Sequence, residues 1–392
     1  MVFARRTPRE TRCVQYFGRL LPGRGDSFGK VRLIWAFAAE SHREPVMTKR
    51  ELLHWMSSGS ATKPRATVPP GQERLDFDRV REHREGAPEV TEAVRPVLGR
   101  RVWVLPGEDG HDPTHGFLFA DGASDSALII GDASSVLDSF PSGAIQTTIT
   151  SPPYWSLRDY GIGGQIGLEE SVNDYISSLT GIFEKVRRVT RDDGTLWLNI
   201  GDSYTSGGRT WRAPDKKNPI RAMNVRPPTP EGLKPKDLIG VPWRLALALQ
   251  AAGWYLRADV IWNKPNAMPE SVKDRPTRSH EYLFLFSKSE HYLYDADAVR
   301  GPNGRNLRTV WDVVTRPYLE AHFATFPPAL IEPCVALTSA PNSLVLDPFI
   351  GSGTTGHVAL SLDRRFVGIE LNPEYINIAE NRLNGAIRQA IA

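Results

Sequence analysis

The stretch from Leu344 onward limits the fold most tightly. A short apolar run at 344–346 leads into a glycine-rich turn, a helix-forming segment to Leu362, a second apolar run at 366–369 and a helix from Pro373. Strand, turn, helix and strand in so few residues form a parallel pair with a crossover helix, which belongs to a sheet covered by helices. The alternation recurs upstream. Residues 127–130 read as a strand ending at Gly131-Asp132, a short helical stretch follows to Leu137, and Ile145–Thr150 is a second strand. From 171 to 189, Val172, Tyr175, Ile176, Leu179, Ile182, Phe183, Val186 and Val189 recur at helical spacing behind a Ser171/Asp174 capping box. Asp192-Asp193-Gly194 stops that unit and 195–200 begins another strand. Residues 242–252 form a helix closed by Gly253, and 256–262 and 282–286 are strands on either side of a long polar link. The expected fold is therefore α/β: a doubly wound, Rossmann-like, mainly parallel sheet.

The chain's 392 residues exceed one ordinary domain, and 40% apolar with 24% charged residues is globular usage. No window approaches the ~18 uncharged apolar residues of a membrane span, and the Arg-rich start lacks a secretory apolar core. The simplest expected location is cytoplasmic. Cys13 and Cys334 make neither a CxxC metal knuckle nor a disulfide framework, so no metal site is expected. A net charge of +3 says little until it is divided along the chain. Residues 1–100 hold 19 Lys/Arg against 12 Asp/Glu, and residues 205–240 hold eight against three within Gly/Pro-rich sequence. That island reads as a basic loop, either a solvated surface or a nucleic-acid contact carried by Arg209, Arg212, Lys216, Lys217 and Arg221. The first 120 residues, broken by prolines and without clean periodicity, read as an accessory or partly disordered extension, and Met47 stands as an alternative start.

Gly351-Ser-Gly353-Thr-Thr-Gly356 fits GxGxxG, follows a strand and opens a helix, and Glu370 ends the next strand. One reading is a dinucleotide site, and hence a nicotinamide-dependent oxidoreductase. Another needs the glycines only for a tight turn. Asp347, in Asp-Pro348-Phe349-Ile-Gly-Ser-Gly just before the turn, favours a third, because a carboxylate there repels phosphate and attracts a cation. S-adenosylmethionine is cationic and has a ribose but no phosphate. Glu370 would accept from both ribose hydroxyls, Phe349 would supply apolar contact, and Gly351 and Gly353 would let the backbone come close.

Thr150-Ser151-Pro152-Pro153-Tyr154-Trp155 lies at the carboxyl end of a strand, where open α/β sheets bind ligands. Two prolines fix the backbone and remove two N–H donors, so the turn is rich in acceptors. The exocyclic amine of a nucleobase is a poor nucleophile because its lone pair is delocalised. Ser151 Oγ and the Pro152 carbonyl could hold its protons and free that pair, while Tyr154 stacks on the base, a contact worth about 1–3 kcal/mol. A proline-rich turn ahead of a core aromatic remains the bland alternative. Trp155 and Trp197 read as core, and Asp202 reads equally as a turn cap or a substrate contact.

Together these motifs resemble the amino-methylating DNA methyltransferases, which carry Asp/Asn/Ser-Pro-Pro-Tyr/Phe and an Asp-Pro-Phe-x-Gly-x-Gly-Thr run. With Ser151 ahead of Asp347, the order resembles the circularly permuted β class over residues 127–385. Further matches are Gly131-Asp132, residues 194–202, Trp262-Asn-Lys264-Pro, Arg275 with His280-Glu281-Tyr, and residues 322–327. The resemblance implies that Ser151, Pro152, Pro153 and Tyr154 are catalytic. It implies that Asp132, Asp347, Pro348, Phe349, Gly351, Gly353, Thr354, Glu370 and Phe326 hold S-adenosylmethionine, with Asp132 at its adenine and 322–327 beside its methionine portion. Lys264 and Arg275 join the basic loop as candidate DNA contacts, though an Arg275–Glu281 salt bridge is an alternative. Ser at the first motif position usually accompanies N4-cytosine methylation and Asp usually accompanies N6-adenine, which leaves N6-adenine as the nearest rival. The implied partner is double-stranded DNA; a cognate restriction endonuclease and the choice of monomer or homodimer stay open. The implied organisation is an extension (1–120), a catalytic half (121–202), a target-recognition region (203–316) and a cofactor half (317–392). A DNA-binding protein without catalysis is a further alternative, against which the intact motifs count.

Overall fold

The computed structural model describes residues 12–17, 33–38, 91–97, 100–106, 117–120, 122–205, 228–300, 304–315 and 325–391. The chain divides into two units, Met1–Thr91 and Glu92–Ala392. In the first, β1 (Arg12–Phe17) and β2 (Leu33–Ala38) pair antiparallel. From Thr91 onward come β3 (Thr91–Val97), β4 (Arg100–Pro106), β5 (Ser126–Ile130), α1 (Ala133–Ser139), β6 (Ile145–Thr150), α2 (Val172–Val189) and β7 (Thr190–Ile200). Then follow α3 (Val241–Ala251), β8 (Tyr255–Asn263), β9 (His280–Ser287), β10 (Val310–Asp312) and α4 (Pro328–Thr338). The chain closes with β11 (Leu344–Asp347), α5 (Thr354–Ser361), β12 (Arg365–Glu370) and α6 (Pro373–Ile391).

These strands make one sheet in the order β10-β8-β9-β7-β6-β11-β12-β5-β4-β3. β9 runs antiparallel to β7 and β8, while β4 through β7 and β10 beside β8 pair parallel, as the strand–helix alternation predicts. The apolar stripe of α2 buries Tyr175, Leu179, Ile182, Phe183 and Val186, and Ser171 caps it by accepting from the Asp174 N–H. Each such side chain contributes about 1.5–3 kcal/mol on leaving water. Trp197 and Trp155 are buried as expected of core aromatics, and Trp197 Nε1 donates to Thr338 Oγ1 at 3.1 Å.

The structure revises three boundaries. The unpatterned N-terminal region supplies β4, which pairs with β5 and buries Val102, Trp103 and Val104, so the sheet starts well before residue 120. Asp192-Asp193-Gly194 does not end an element: Ile145 faces Thr190 and Thr147 faces Thr195, so residues 191–194 bulge from β7. A Cβ at Gly194 would sit 2.7 Å from the Gln146 carbonyl, which explains the glycine at this close approach. Finally, α4 and β10 were not legible, α4 because Pro328 and Pro333 resemble helix breakers.

What positions the site is the placement of β6 beside β11. Thr147 and Thr148 pair with Val345 and Leu346, so the parallel strands bring Thr150 and Asp347 to the same edge of the sheet from opposite ends of the sequence.

Candidate active site

The two motif turns leave adjacent strand ends and are joined through Asp347. Its Oδ1 accepts from Thr150 Oγ1 at 2.6 Å and from the Phe349 N–H at 3.0 Å, and its Oδ2 accepts from Thr355 Oγ1 at 2.7 Å. Thr355 Oγ1 also lies 3.2 Å from the Ile149 carbonyl on β6. Asp347 is buried, and burial pushes its carboxyl up to about 6 against the lowering effect of those three donors. These bonds hold Asp347 between the two strand ends that carry the motif turns. Its oxygens turn inward, because two hydroxyls and a backbone N–H from neighbouring elements meet there.

Among the described residues, no hydrogen bond reaches the carbonyls of Ser151 or Pro152, whereas Tyr175 Oη donates to the Pro153 carbonyl at 2.8 Å. The turn thus keeps the two acceptors that the proline pair predicts, and α2 fixes the third carbonyl. Tyr154 Oη donates to Glu281 Oε2 at 2.9 Å, with Asn199 Oδ1 a longer acceptor at 3.4 Å, and accepts from Ser151 Oγ at 3.5 Å. Burial, then the Glu281 charge, push the Tyr154 hydroxyl well above its ordinary value, so it stays a neutral donor.

In the glycine-rich turn, Gly353 adopts φ +80° as it caps α5. The Gly351 N–H donates to Glu370 Oε2 at 3.0 Å, and the Asn372 N–H donates to Oε1 at 2.9 Å. Burial raises the Glu370 carboxyl to about 7, opposed by these backbone donors. An N–H that a pyrophosphate would need is thus already held by a carboxylate, which argues against a dinucleotide. Asp132 caps α1, its Oδ2 accepting from the Ser135 N–H and Oγ. The Gly131 N–H donates to the Glu370 carbonyl at 2.9 Å, which sets Asp132 beside Glu370. An acid-lined, glycine-rich turn suits a cationic cofactor without phosphate, and Glu370 with Asp132 would hold its hydroxyls and ring amine. Pro348 and Phe349 open this turn, and Phe326 lies largely buried just ahead of α4. Thr354 is held from α6, where Arg382 Nη1 donates to its Oγ1 at 2.6 Å and to Ser352 Oγ at 2.9 Å.

Of the proposed DNA contacts, Arg209, Arg212, Lys216, Lys217 and Arg221 lie outside the described residues, as do residues 322–324. Lys264 Nζ pairs with Glu281 Oε1 at 2.5 Å. Arg275 pairs with Glu270 at 2.7 Å and stacks 3.8 Å from the Tyr204 ring centroid, so the alternative Arg275–Glu281 bridge does not form. Asp202 resolves as a cap: its Oδ1 accepts from the N–H groups of Ser203, Gly240 and Val241, anchoring the start of α3. Thr150, Asn199, Gly201, Thr355 and Glu281 lie within stretches that the motif reading marked, though it gave them no role of their own, and Arg382 gave no signal.

Comparison with known proteins agrees with this geometry. The N6_N4_Mtase family model, described as DNA methylase, matches residues 145–381. Type II methyltransferase M.Cfr9I of Citrobacter freundii is 64% identical over 264 residues, spanning 66% of this chain and 88% of its own. M.SmaI of Serratia marcescens is 60% identical over 262 residues, spanning 65% and 90%. The Thermus thermophilus protein TTHA0409, a putative DNA modification methylase solved with S-adenosyl-L-methionine, superposes with a TM-score of 0.50 at 25% identity over 66% of this chain and 93% of its own. PvuII DNA methyltransferase (cytosine-N4-specific) shares the fold, with a TM-score of 0.50 at 23% identity over 67% and 91%. With the Ser-Pro-Pro-Tyr and glycine-rich turns leaving adjacent strand ends, the chain belongs to the N6/N4 DNA methylase family, the S-adenosylmethionine-dependent DNA amino-methyltransferases.

Proposed function

We propose that this protein transfers the methyl group of S-adenosylmethionine to the N4 amine of cytosine at one short sequence in duplex DNA, acting as a Type II modification enzyme beside a cognate restriction endonuclease. The observation that carries the reading is the catalytic turn. It offers a hydroxyl, Ser151, and two carbonyl acceptors free of internal hydrogen bonds, beside the strand end that opens the cofactor turn. Ser rather than Asp at that position favours cytosine, by the residue preference of the family.

The cofactor supplies an activated methyl group, and the chain's own residues place the acceptor. Ser151 Oγ and the Pro152 carbonyl accept from the amine and turn its lone pair toward the methyl, while Tyr154 stacks on the base after it leaves the duplex. Asp132 and Glu370 hold the cofactor, Phe349 and Phe326 give it apolar walls, and Gly351 and Gly353 let the backbone approach. Lys and Arg of 203–240 and 263–316, Lys264 excepted, supply phosphate contact and base readout. A covalent route through Cys334 is disfavoured: it is buried in α4, and burial pushes its thiol well above the usual range.

Methylation-sensitive sequencing of DNA from cells with and without the gene tests this. Gene-dependent N4-methylcytosine in a single short sequence context is the expected result. Gene-dependent N6-methyladenine would replace cytosine with adenine as the target.

A further inference from the structure

The catalytic tyrosine is held by a charge cluster that spans four strand ends. Tyr154 Oη donates to Glu281 Oε2 at 2.9 Å on β9. Lys264, just past β8, pairs with the other carboxylate oxygen at 2.5 Å while its Nζ lies 4.1 Å from the Trp262 ring centroid. Asn199 of β7, only 2% exposed, donates through Nδ2 to Glu281 Oε2 at 3.3 Å and to the Tyr282 carbonyl at 3.1 Å. The ring edge is confined as well. A Cβ at Gly201 would lie 2.8 Å from Tyr154 Cε2 and 3.4 Å from the Glu281 side chain, so only glycine leaves room for the ring. Hydroxyl and ring edge are thus fixed by separate groups.

We infer that Glu281, ion-paired with Lys264, is a positioning residue that anchors the Tyr154 hydroxyl while the close approach at Gly201 confines the ring edge, so that the ring is set before the target base arrives. The inference rests on the proposed stacking role of Tyr154. A hydrogen bond to an ionised acceptor is about twice as strong as a neutral one. A ring already locked in its stacking plane spares the side-chain ordering that binding the base otherwise requires. Lys264 accordingly serves the base pocket from within rather than as a phosphate ligand.

The test compares Glu281→Ala, Tyr154→Phe and the double variant in the full chain. Each single change is expected to lower kcat roughly tenfold to a hundredfold, with S-adenosylmethionine affinity by calorimetry unchanged. The double variant should be no slower than the worse single one, because both remove the same constraint. With 2-aminopurine at the target position, both singles should shift the base fluorescence in the same way. If Glu281→Ala fails to bind cofactor, Glu281→Gln takes its place, keeping the acceptor and losing the charge, with a smaller loss and the same non-additivity. Lys264→Met should leave the salt dependence of DNA binding unchanged, whereas a slope reduced by about one marks a phosphate contact and overturns the inference. Additive losses, or wild-type turnover in Glu281→Ala, also overturn it while leaving the functional reading intact. A wild-type chain that methylates no DNA overturns both.

Discussion

Asp347 and Glu370 are the residues whose environment departs furthest from what their motif positions suggest. Both carboxyls lie well above their ordinary values, at about 6 and about 7, chiefly through burial. A carboxyl raised on folding favours the folded chain while protonated, so its stabilisation is present at low pH and lost as pH climbs through the folded value. Asp347→Asn abolishes that titration. The stability of the wild type relative to Asp347→Asn should therefore fall between about pH 4 and pH 6.5, read from urea midpoints across that range. Glu370 bears on the ligand instead. Its ionised form is the better acceptor for ribose hydroxyls, so cofactor affinity should rise as pH passes through about 7, and Glu370→Gln should flatten that rise in calorimetry. The sequence marked both residues as belonging to the cofactor turn. It could not show which way Asp347 faces, because that depends on Thr150 on another strand and Thr355 on the next helix.

Among the elements, α6 does more than cover the sheet. Tyr375, Ala379 and Arg382 recur at i, i+4 and i+7, which puts them on one helical face, and that face meets the cofactor turn. Tyr375 lies edge-on to Tyr160, 6.0 Å between ring centroids, and the Glu370 charge helps raise both hydroxyls after burial, the leading cause. A Cβ at Gly353 would lie 3.0 Å from Ala379 Cβ, and Arg382 holds the hydroxyls on either side of that glycine. Arg382→Met should raise the KM for S-adenosylmethionine by roughly tenfold while changing kcat little, because the guanidinium shapes the turn and does not touch the transferring methyl. Steady-state kinetics with varied cofactor would show this, and an unchanged KM would remove α6 from the site. Periodicity exposed α2, whose apolar face is regular, and the strand–helix alternation placed α1, α5 and α6. It missed α4, which begins at Pro328 and holds Pro333 in its interior, and β10, which is only three residues long. The basic island of 205–240 was legible as a charged, Gly/Pro-rich loop, and its residues 206–227 lie outside the described residues.

At the scale of the whole molecule, the sheet makes the permuted order harmless. What matters is that β6 and β11 are neighbours, and a parallel sheet brings them together whichever comes first in the chain. The sheet also sets the limit for truncation. A chain beginning at Thr91 keeps all ten strands and should retain its fold and methyl transfer. One beginning at residue 121 loses β3 and β4, uncovers the outer edge of β5 and strips away the buried Trp103, so it should melt at a clearly lower temperature. Equal melting temperatures for the two would contradict the placement of β4. The strand–helix alternation made the centre of this sheet legible, whereas proline-broken β3 and β4 gave no pattern to read. The most direct measurement is nucleoside mass spectrometry of duplex DNA incubated with the full chain and methyl-labelled S-adenosylmethionine. The predicted result is label in N4-methylcytosine; label in N6-methyladenine or 5-methylcytosine, or none in DNA, would contradict it.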